Sequence, residues 1–363
     1  MNQIGFGIVG AGSIATTHAR AIGQVPGARL AAVTDTSPPA AQALATAHGC
    51  AAEAHLDALL ARDDVNVVTV CVPSGLHAEV GVRAANAGKH VIVEKPIDVT
   101  LAAADRLIEA VRAAGVKLTV ISQHRFDPGV VELLRLIEVG ALGSLLLGEA
   151  STKWYRSQAY YDSGAWRGTW SLDGGSLLNQ GVHYADLLLA CMGPVAEVTA
   201  ISATQTHQIE VEDTALALLR FRSGAVGTIV TSTSVFPGFP QRLEVSGTGG
   251  TVVVEDGAII SRGLATEPPP AAEPPPPATE PPPAAEPPPP ADGPPLIHPA
   301  GTSTPAIGIA SHVAQIADFA EAIEQDREPT ATAEHGRAVL EVVLAVYESA
   351  RERRTVRLPE VTR

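Results

Sequence analysis

The sequence predicts an α/β part followed by an α+β part: a doubly wound parallel sheet over residues 1–122, then a C-terminal domain, 123–363, with a large, mostly antiparallel sheet. Three observations predict this. Apolar strand-like runs alternate with helical segments up to about residue 121. A glycine-rich turn, Gly10-Ala11-Gly12-Ser13-Ile14-Ala15, joins the first such run to the first helix. Beyond Leu145 the alternation stops, and strand-like runs follow one another across short glycine-containing links.

The first run, 4–9, is apolar enough for a buried strand, and the helix after it runs to about Val25, where Pro26-Gly27 stops it. Strands are then expected at 30–34, 65–72, 90–93 and 117–121, with helices at 40–47, 56–60, 78–87 and 101–114 between them. Strands separated by helices pair in parallel, because each helix carries the chain back across the sheet. In the glycine turn, Gly10 allows the tight bend, Gly12 lets backbone approach a phosphate and Ala15 permits close helix–strand packing. The amides of Ser13 and Ile14 then open the helix, whose N-terminus is an anion site. Asp35 ends the second strand about 20 residues after the turn, where a carboxylate binds adenosine ribose hydroxyls and repels a 2′-phosphate. This is a Rossmann dinucleotide site, with NAD expected and NADP disfavoured.

After a helix at 129–139, strands are expected at 145–152, 196–204, 214–220, 225–234, 242–246 and 251–254, and helices at 312–325 and 333–351 close the chain. Aromatics are only 4% of the chain, yet Trp154, Tyr155, Tyr160, Tyr161, Trp166 and Trp170 gather with Lys153, Arg156 and Arg167. Aromatic faces stack on sugar C–H surfaces, and cations bind oxygens. Asp173-Gly174-Gly175-Ser176 starts a helix running to Ala190, on which Asn179, His183 and Asp186 fall at i, i+4 and i+7. Three polar side chains on one face of an apolar helix need partners or a cavity.

Three motifs in this order, the glycine turn, Glu94-Lys95-Pro96 and Gly174-Gly175-Ser176-Leu177-Leu178-Asn179-Gln180-Gly181-Val182-His183-Tyr184-Ala185-Asp186, resemble the glucose-fructose oxidoreductase / inositol dehydrogenase family (Gfo/Idh/MocA). The resemblance covers nearly the whole chain. It implies an NAD-dependent oxidoreductase acting on a cyclic polyol or sugar, with Lys95 aimed at the nicotinamide end and the reacting hydroxyl, His183 as general base and Asn179 beside it. It implies cofactor contacts from Gly10, Gly12, Ser13, Ile14, Ala15, Asp35, Pro73, Ser74, His77, Glu94, Lys95, Trp166 and Arg167. The residues themselves favour a capping or packing role for His77. Substrate contacts are expected from Lys95, Arg125, Lys153, Tyr155, Trp166, Arg167, Asn179 and His183. The sequence departs from the family pattern at Ser176, which stands for a third glycine, and at Asn179, which stands for the aspartate of inositol dehydrogenases. The Asn form resembles the branch that oxidises C3 of pyranoses, away from inositol. A redox-neutral, NAD-using glycosidase and a non-catalytic sugar sensor are the alternatives. The resemblance also implies a homodimer or homotetramer.

Composition removes other classes. A net charge of −14 repels nucleic-acid backbones. No apolar run approaches the ~20 residues of a membrane span, and Met1-Asn2-Gln3 leads directly into a strand, so neither membrane nor signal peptide is expected. Cys50, Cys71 and Cys191 fit neither a zinc site nor a disulfide framework, so no metal and a reducing cytoplasm are expected. The segment 267–295 is a duplicated proline-rich stretch that reads as a surface loop favouring polyproline II.

Overall fold

The computed structural model describes residues 3–265 and 308–359, so the proline-rich segment 267–295 lies outside the described residues. The chain runs β1 (Ile4–Val9), α1 (Ser13–Ile22), β2 (Ala28–Thr34), α2 (Pro38–His48), β3 (Ala51–Glu53), α3 (Leu56–Leu60), β4 (Val67–Val70), α4 (His77–Asn86), β5 (His90–Val93), α5 (Leu101–Ala114) and β6 (Leu118–Val120). These six strands form one parallel sheet in the order β3-β2-β1-β4-β5-β6. The order reverses between β1 and β4, which opens a crevice beyond their carboxyl ends. The Gly10–Gly12 turn, the loop after β4 and the Lys95 turn after β5 all emerge at that edge. Local signals set the helix ends: Thr100 caps α5 by accepting the N–H of Ala103 at 3.2 Å, and Gly115 closes it at φ 66°.

The second half comprises α6 (Pro128–Glu138), β7 (Leu145–Lys153), α7 (Gln158–Asp162), α8 (Val182–Met192), β8 (Val195–Ala203), β9 (Thr214–Phe221), β10 (Val226–Ser232), β11 (Arg242–Gly247), β12 (Gly250–Glu255), β13 (Ala258–Leu264), α9 (Ala310–Glu324), α10 (Ala333–Glu352) and β14 (Val356–Arg357). Its sheet has eight strands in the order β13-β12-β11-β7-β10-β9-β8-β14, antiparallel except where β10 pairs with β7. The helices α8 and α10 cover one face. On the other face alternate residues leave apolar groups in solvent: Ile201 (71% exposed), Leu218 (63%), Leu216 (46%) and Val226 (44%). Ile201 lies opposite Leu216, so these side chains form one patch.

β3, β13 and β14 were not expected from the sequence, and the strand expected over 65–72 shrinks to Val67–Val70. Ala51-Ala52-Glu53 has little strand preference of its own and becomes a strand because β2 pairs with it, Ala32 opposite Ala51. The closing helices also reach further than their place in the chain suggests. α9 packs on α1, and its Ile316 and Phe319, both fully buried, complete the cluster of Phe6, Ile8, Ile22 and Ile92. Each such side chain contributes roughly 1.5–3 kcal/mol of burial. No helix among the described residues is long and apolar enough to cross a membrane.

Gly10 is set by two constraints together: its φ is +98°, and a Cβ there would sit 2.3 Å from the Cys71 carbonyl oxygen. Gly10→Ala is expected to destabilise the protein by about 1–3 kcal/mol or more, read as a lowered thermal midpoint. An unchanged midpoint would contradict the assigned turn.

Candidate active site

The first wall of the site is the N-terminus of α1. Gly12 caps it in an extended conformation, and nothing lies within 4 Å of the point where its Cβ would be. Ser13 and Ile14 form the first turn, while Ala15 is fully buried against the sheet. Free amides with open approach fit a dinucleotide pyrophosphate. Asp35 accepts the N–H of Ala11 at 2.7 Å on Oδ2 and that of Ser37 at 2.7 Å on Oδ1. It therefore shapes the turn, and each oxygen keeps a lone pair for a ribose hydroxyl.

The loop after β4 carries Pro73, Ser74 and His77. Both ring nitrogens of His77 face carbonyl oxygens, Nδ1 at 2.7 Å from Pro96 and Nε2 at 2.9 Å from Val72. The buried ring thus ties this loop to the Lys95 turn instead of reaching the crevice. Glu94 is likewise committed: Oε1 lies 2.7 Å from His18 Nε2, and Oε2 accepts the N–H of Lys95 at 3.0 Å.

Lys95 crosses to the second half of the chain. Its Nζ donates to the backbone carbonyl of Asn179 at 2.7 Å, with Asn179 Oδ1 at 3.5 Å. An ammonium has three N–H donors, so at least one remains for a ligand oxygen. Burial drives the Lys95 pKa down, opposed by the charges of Glu94 and Asp173 and reinforced by Arg156 and Arg167.

The helix expected to start at Ser176 is in fact two pieces, a π-helical turn over Ser176–Gly181 followed by α8. A π turn widens the ladder from four residues to five, and such turns concentrate at functional sites. The i, i+4, i+7 face read from the sequence is therefore replaced by a different grouping. The Asn179 amide donates to Asp173, not to His183, and its Oδ1 accepts from Gln180 Nε2 at 3.1 Å. Asp173 also accepts the N–H of Gly168 at 2.7 Å, and burial raises its pKa. Gln180 continues to Tyr160 at 3.1 Å, and Tyr160 accepts from Arg167 Nη1 at 2.7 Å. The Arg167 guanidinium lies over both the Tyr160 and Trp166 rings, 4.3 and 4.4 Å from their centroids.

His183 opens α8, stands edge-on to His124 at 5.1 Å between ring centroids, and makes no hydrogen bond among the described residues. Lys95, His124 and His183 line one cavity. Burial, then the positive charge of Lys95, holds the His183 pKa well below the usual histidine range. The imidazole is thus neutral at neutral pH and able to accept a proton.

Arg125 does not join this group. Its guanidinium donates twice to Asp186, at 2.7 and 2.6 Å, in a pair that is 8% exposed on each side. It braces α8 rather than offering a free cation. Lys153 is exposed at the end of β7, and Tyr155 packs edge-on against Phe236 at 5.3 Å. Tyr160 belongs to the aromatic cluster read from the sequence, whereas His18, Asp173, Gln180 and His124 are participants that sequence reading did not place in the site. Only their neighbours in space mark them, although Gln180 and His124 adjoin recognised residues.

His18, Glu94 and His312 bring ligand-type atoms within 4.8 Å of one another. A metal-bound imidazole donates its second nitrogen to an acceptor. Here Nδ1 of both rings is buried with no partner, so the trio fits a hydrogen-bonded His18–Glu94 pair with His312 packed edge-on against it better than a metal centre.

The π turn rests on Glu212, 3% exposed, which accepts the N–H of Leu177 at 2.8 Å and the hydroxyl of Tyr347 at 3.1 Å. Its carboxylate occupies the space a Gly175 Cβ would need, 1.7 Å from Oε2. Burial pushes the Glu212 pKa from 4.5 up to about 7, against these hydrogen bonds. A raised pKa means stability that is fully present below about pH 4.5 and lost as pH rises to about 7. Glu212→Gln is expected to gain about 3 kcal/mol on the parent protein across that window. Thermal midpoints measured against pH check this, and a pH-independent difference would contradict it.

Comparison with known proteins places the fold among known families. Residues 4–122 match the model described as "Oxidoreductase family, NAD-binding Rossmann fold", 130–253 match "GFO/IDH/MocA C-terminal domain" and 301–358 match "Oxidoreductase family, C-terminal alpha/beta domain". The chain is 30% identical over 269 residues to the inositol 2-dehydrogenase of Rhizobium meliloti, covering 72% of this chain and 78% of that protein. The WlbA dehydrogenase of Bordetella pertussis, solved with NADH and UDP-GlcNAcA, superposes with a TM-score of 0.83 at 31% identity over 99% of both chains. The aldose-aldose oxidoreductase of Caulobacter crescentus, complexed with glycerol, gives 0.79 at 27% identity over 98% of this chain and 100% of that one.

Proposed function

The chain belongs to the GFO/IDH/MocA family of NAD-binding oxidoreductases, and on that premise we propose that it oxidises or reduces a ring carbinol, at C3, of a sugar, glycoside, nucleotide sugar or cyclic polyol. Residues 1–122 hold the cofactor and 123–363 the substrate. The observation that carries the reading is the meeting of Lys95 with the Asn179 carbonyl at 2.7 Å, beside the neutral His183 ring, at the carboxyl edge of the parallel sheet.

NAD supplies the hydride acceptor when bound. The chain's own groups manage the oxygen and its proton. His183 takes the hydroxyl proton on a ring nitrogen that is unprotonated at neutral pH. Lys95 Nζ donates its remaining hydrogen bond to the same oxygen and stabilises the negative charge that develops there. Asn179 and Asp173 aim the lysine, and Trp166 and Arg167 close the nicotinamide side. Arg125 acts through Asp186, as a positioning residue. Asp35 favours NAD over NADP by repelling a 2′-phosphate. The free thiols Cys50, Cys71 and Cys191 support a cytoplasmic setting.

A panel of pyranosides, nucleotide sugars and polyols, followed by NADH absorbance, tests the reaction. Its expected outcome is NADH formation on at least one sugar, with NADPH bound more weakly than NADH. Product release without net NADH would instead assign redox-neutral glycoside cleavage. His183→Ala should lower turnover by ~10²–10⁴-fold with NADH binding retained, and the acidic limb of the wild-type pH–rate profile should fall below the ordinary histidine range. Near-parental turnover in His183→Ala would remove His183 from the chemistry.

The apolar patch of Ile201, Leu216, Leu218 and Val226 supports a homodimer or homotetramer through the open sheet face. Light scattering at micromolar concentration should give a dimer or tetramer mass, and Leu218→Glu should shift it toward the monomer. A monomeric parent protein would reject this assembly.

A further inference from the structure

His18 lies on α1, the helix whose N-terminus faces the cofactor, and its ring is fully buried. The Glu94 carboxylate, 5% exposed, bridges this ring at 2.7 Å and the backbone N–H of Lys95 at 3.0 Å. His312 of α9 stands edge-on to His18, with centroids 5.6 Å apart. One carboxylate thus joins the cofactor helix to the lysine turn, and a helix from the far end of the chain backs the junction.

The charges around Lys95 show why a buried carboxylate is placed there. Asp173 and Glu94 face it with negative charge, Arg156 and Arg167 with positive charge, and His183 is neutral. Without Glu94, three cations would share Asp173, whose own ionisation burial opposes. Neither oxygen of Glu94 bonds the ammonium; one meets His18 and the other the Lys95 backbone. The carboxylate therefore supplies field without consuming a Lys95 donor. We propose that Glu94, oriented by His18, is the fixed counter-charge that keeps Lys95 an ammonium while leaving its donors to Asn179 and the substrate oxygen, and that His18 and Glu94 are positioning residues rather than cofactor contacts. Burial alone would raise the Glu94 pKa, but the hydrogen bond and charge of His18, then the charge of Lys95, outweigh it and hold the pKa at about 2. Glu94 therefore stays charged over the whole working range.

This inference takes the role of Lys95 from the dehydrogenase reading, so its test reads the lysine itself. In the full-length protein with NAD bound, competitive labelling by acetic anhydride across pH, read by peptide mass spectrometry, gives the pH at which the Lys95 amine becomes reactive. Exposed Lys153 serves as internal reference. In Glu94→Gln, which keeps the shape and removes the charge, Lys95 is expected to deprotonate ~tenfold more readily, a downward shift of about one pH unit, with Lys153 unmoved. His18→Leu should move Lys95 in the same direction, and His18→Gln, which keeps a donor for Glu94, should restore it. NADH fluorescence reports that each variant is folded. Should Glu94→Gln not fold, the His18→Leu and His18→Gln pair decides the matter. An unmoved Lys95 curve in folded Glu94→Gln or His18→Leu overturns the inference, even in an active enzyme. A shifted curve in a protein that oxidises no sugar upholds the counter-charge and defeats the dehydrogenase reading instead.

Discussion

The centre of this protein is organised by the partial burial of one ammonium group. Lys95 sits where the carboxyl edge of a parallel sheet meets a second sheet's helices, and an ammonium in such a place needs an acceptor and opposing charge. The acceptor is a backbone carbonyl, that of Asn179, presented by a π turn. The opposing charge comes from both sides, Glu94 ahead of the lysine and Asp173 across the crevice. Each of these is held in turn, Glu94 by His18 and Asp173 by the Gly168 N–H and the Asn179 amide. The same positive charge depresses the His183 pKa. The ammonium proposed to stabilise an oxyanion and the imidazole proposed to accept a proton are thus tuned by one electrostatic arrangement.

Support for that arrangement comes from distant parts of the chain. Glu212 lies just before β9, yet it seats the start of the π turn. Arg125 and Asp186 form a buried bidentate pair that fixes α8 against the segment leaving the parallel sheet. Losing either partner of such a pair leaves a buried charge uncompensated, at about 3–5 kcal/mol. The closing helix α9 fills the core beneath α1 with Ile316 and Phe319 and brings His312 to the Glu94 strut. The two sheets and their helices are therefore not independently built.

Much of the fold was legible because its signals are local. β1, β5 and α5 declare themselves by continuous apolar runs or helical periodicity with caps, and the Gly10 turn by residue types that only such a bend requires. β3 and β14, three and two residues long, have no local signal and exist because a neighbouring strand pairs with them. The candidate site divides in the same way. Lys95 and His183 sit in recognisable motifs and converge on one cavity. Arg125 was expected to contact substrate, but its guanidinium pairs with Asp186, 61 residues away. Asn179 was legible as a polar residue near His183, but the π turn points its amide at Asp173.

The sequence by itself determined the parallel sheet, the antiparallel sheet after it and the glycine turn, and singled out Lys95 and His183, because each rests on spacing within a few residues. Tertiary structure alone decided which charges face one another. Which partners the Glu94 carboxylate takes, whether Arg125 is free or paired, and which face of the second sheet stays open all depend on contacts between segments far apart in the chain. Burial then converts those contacts into shifted protonation, since only a water-excluded position makes a neighbouring charge count for so much.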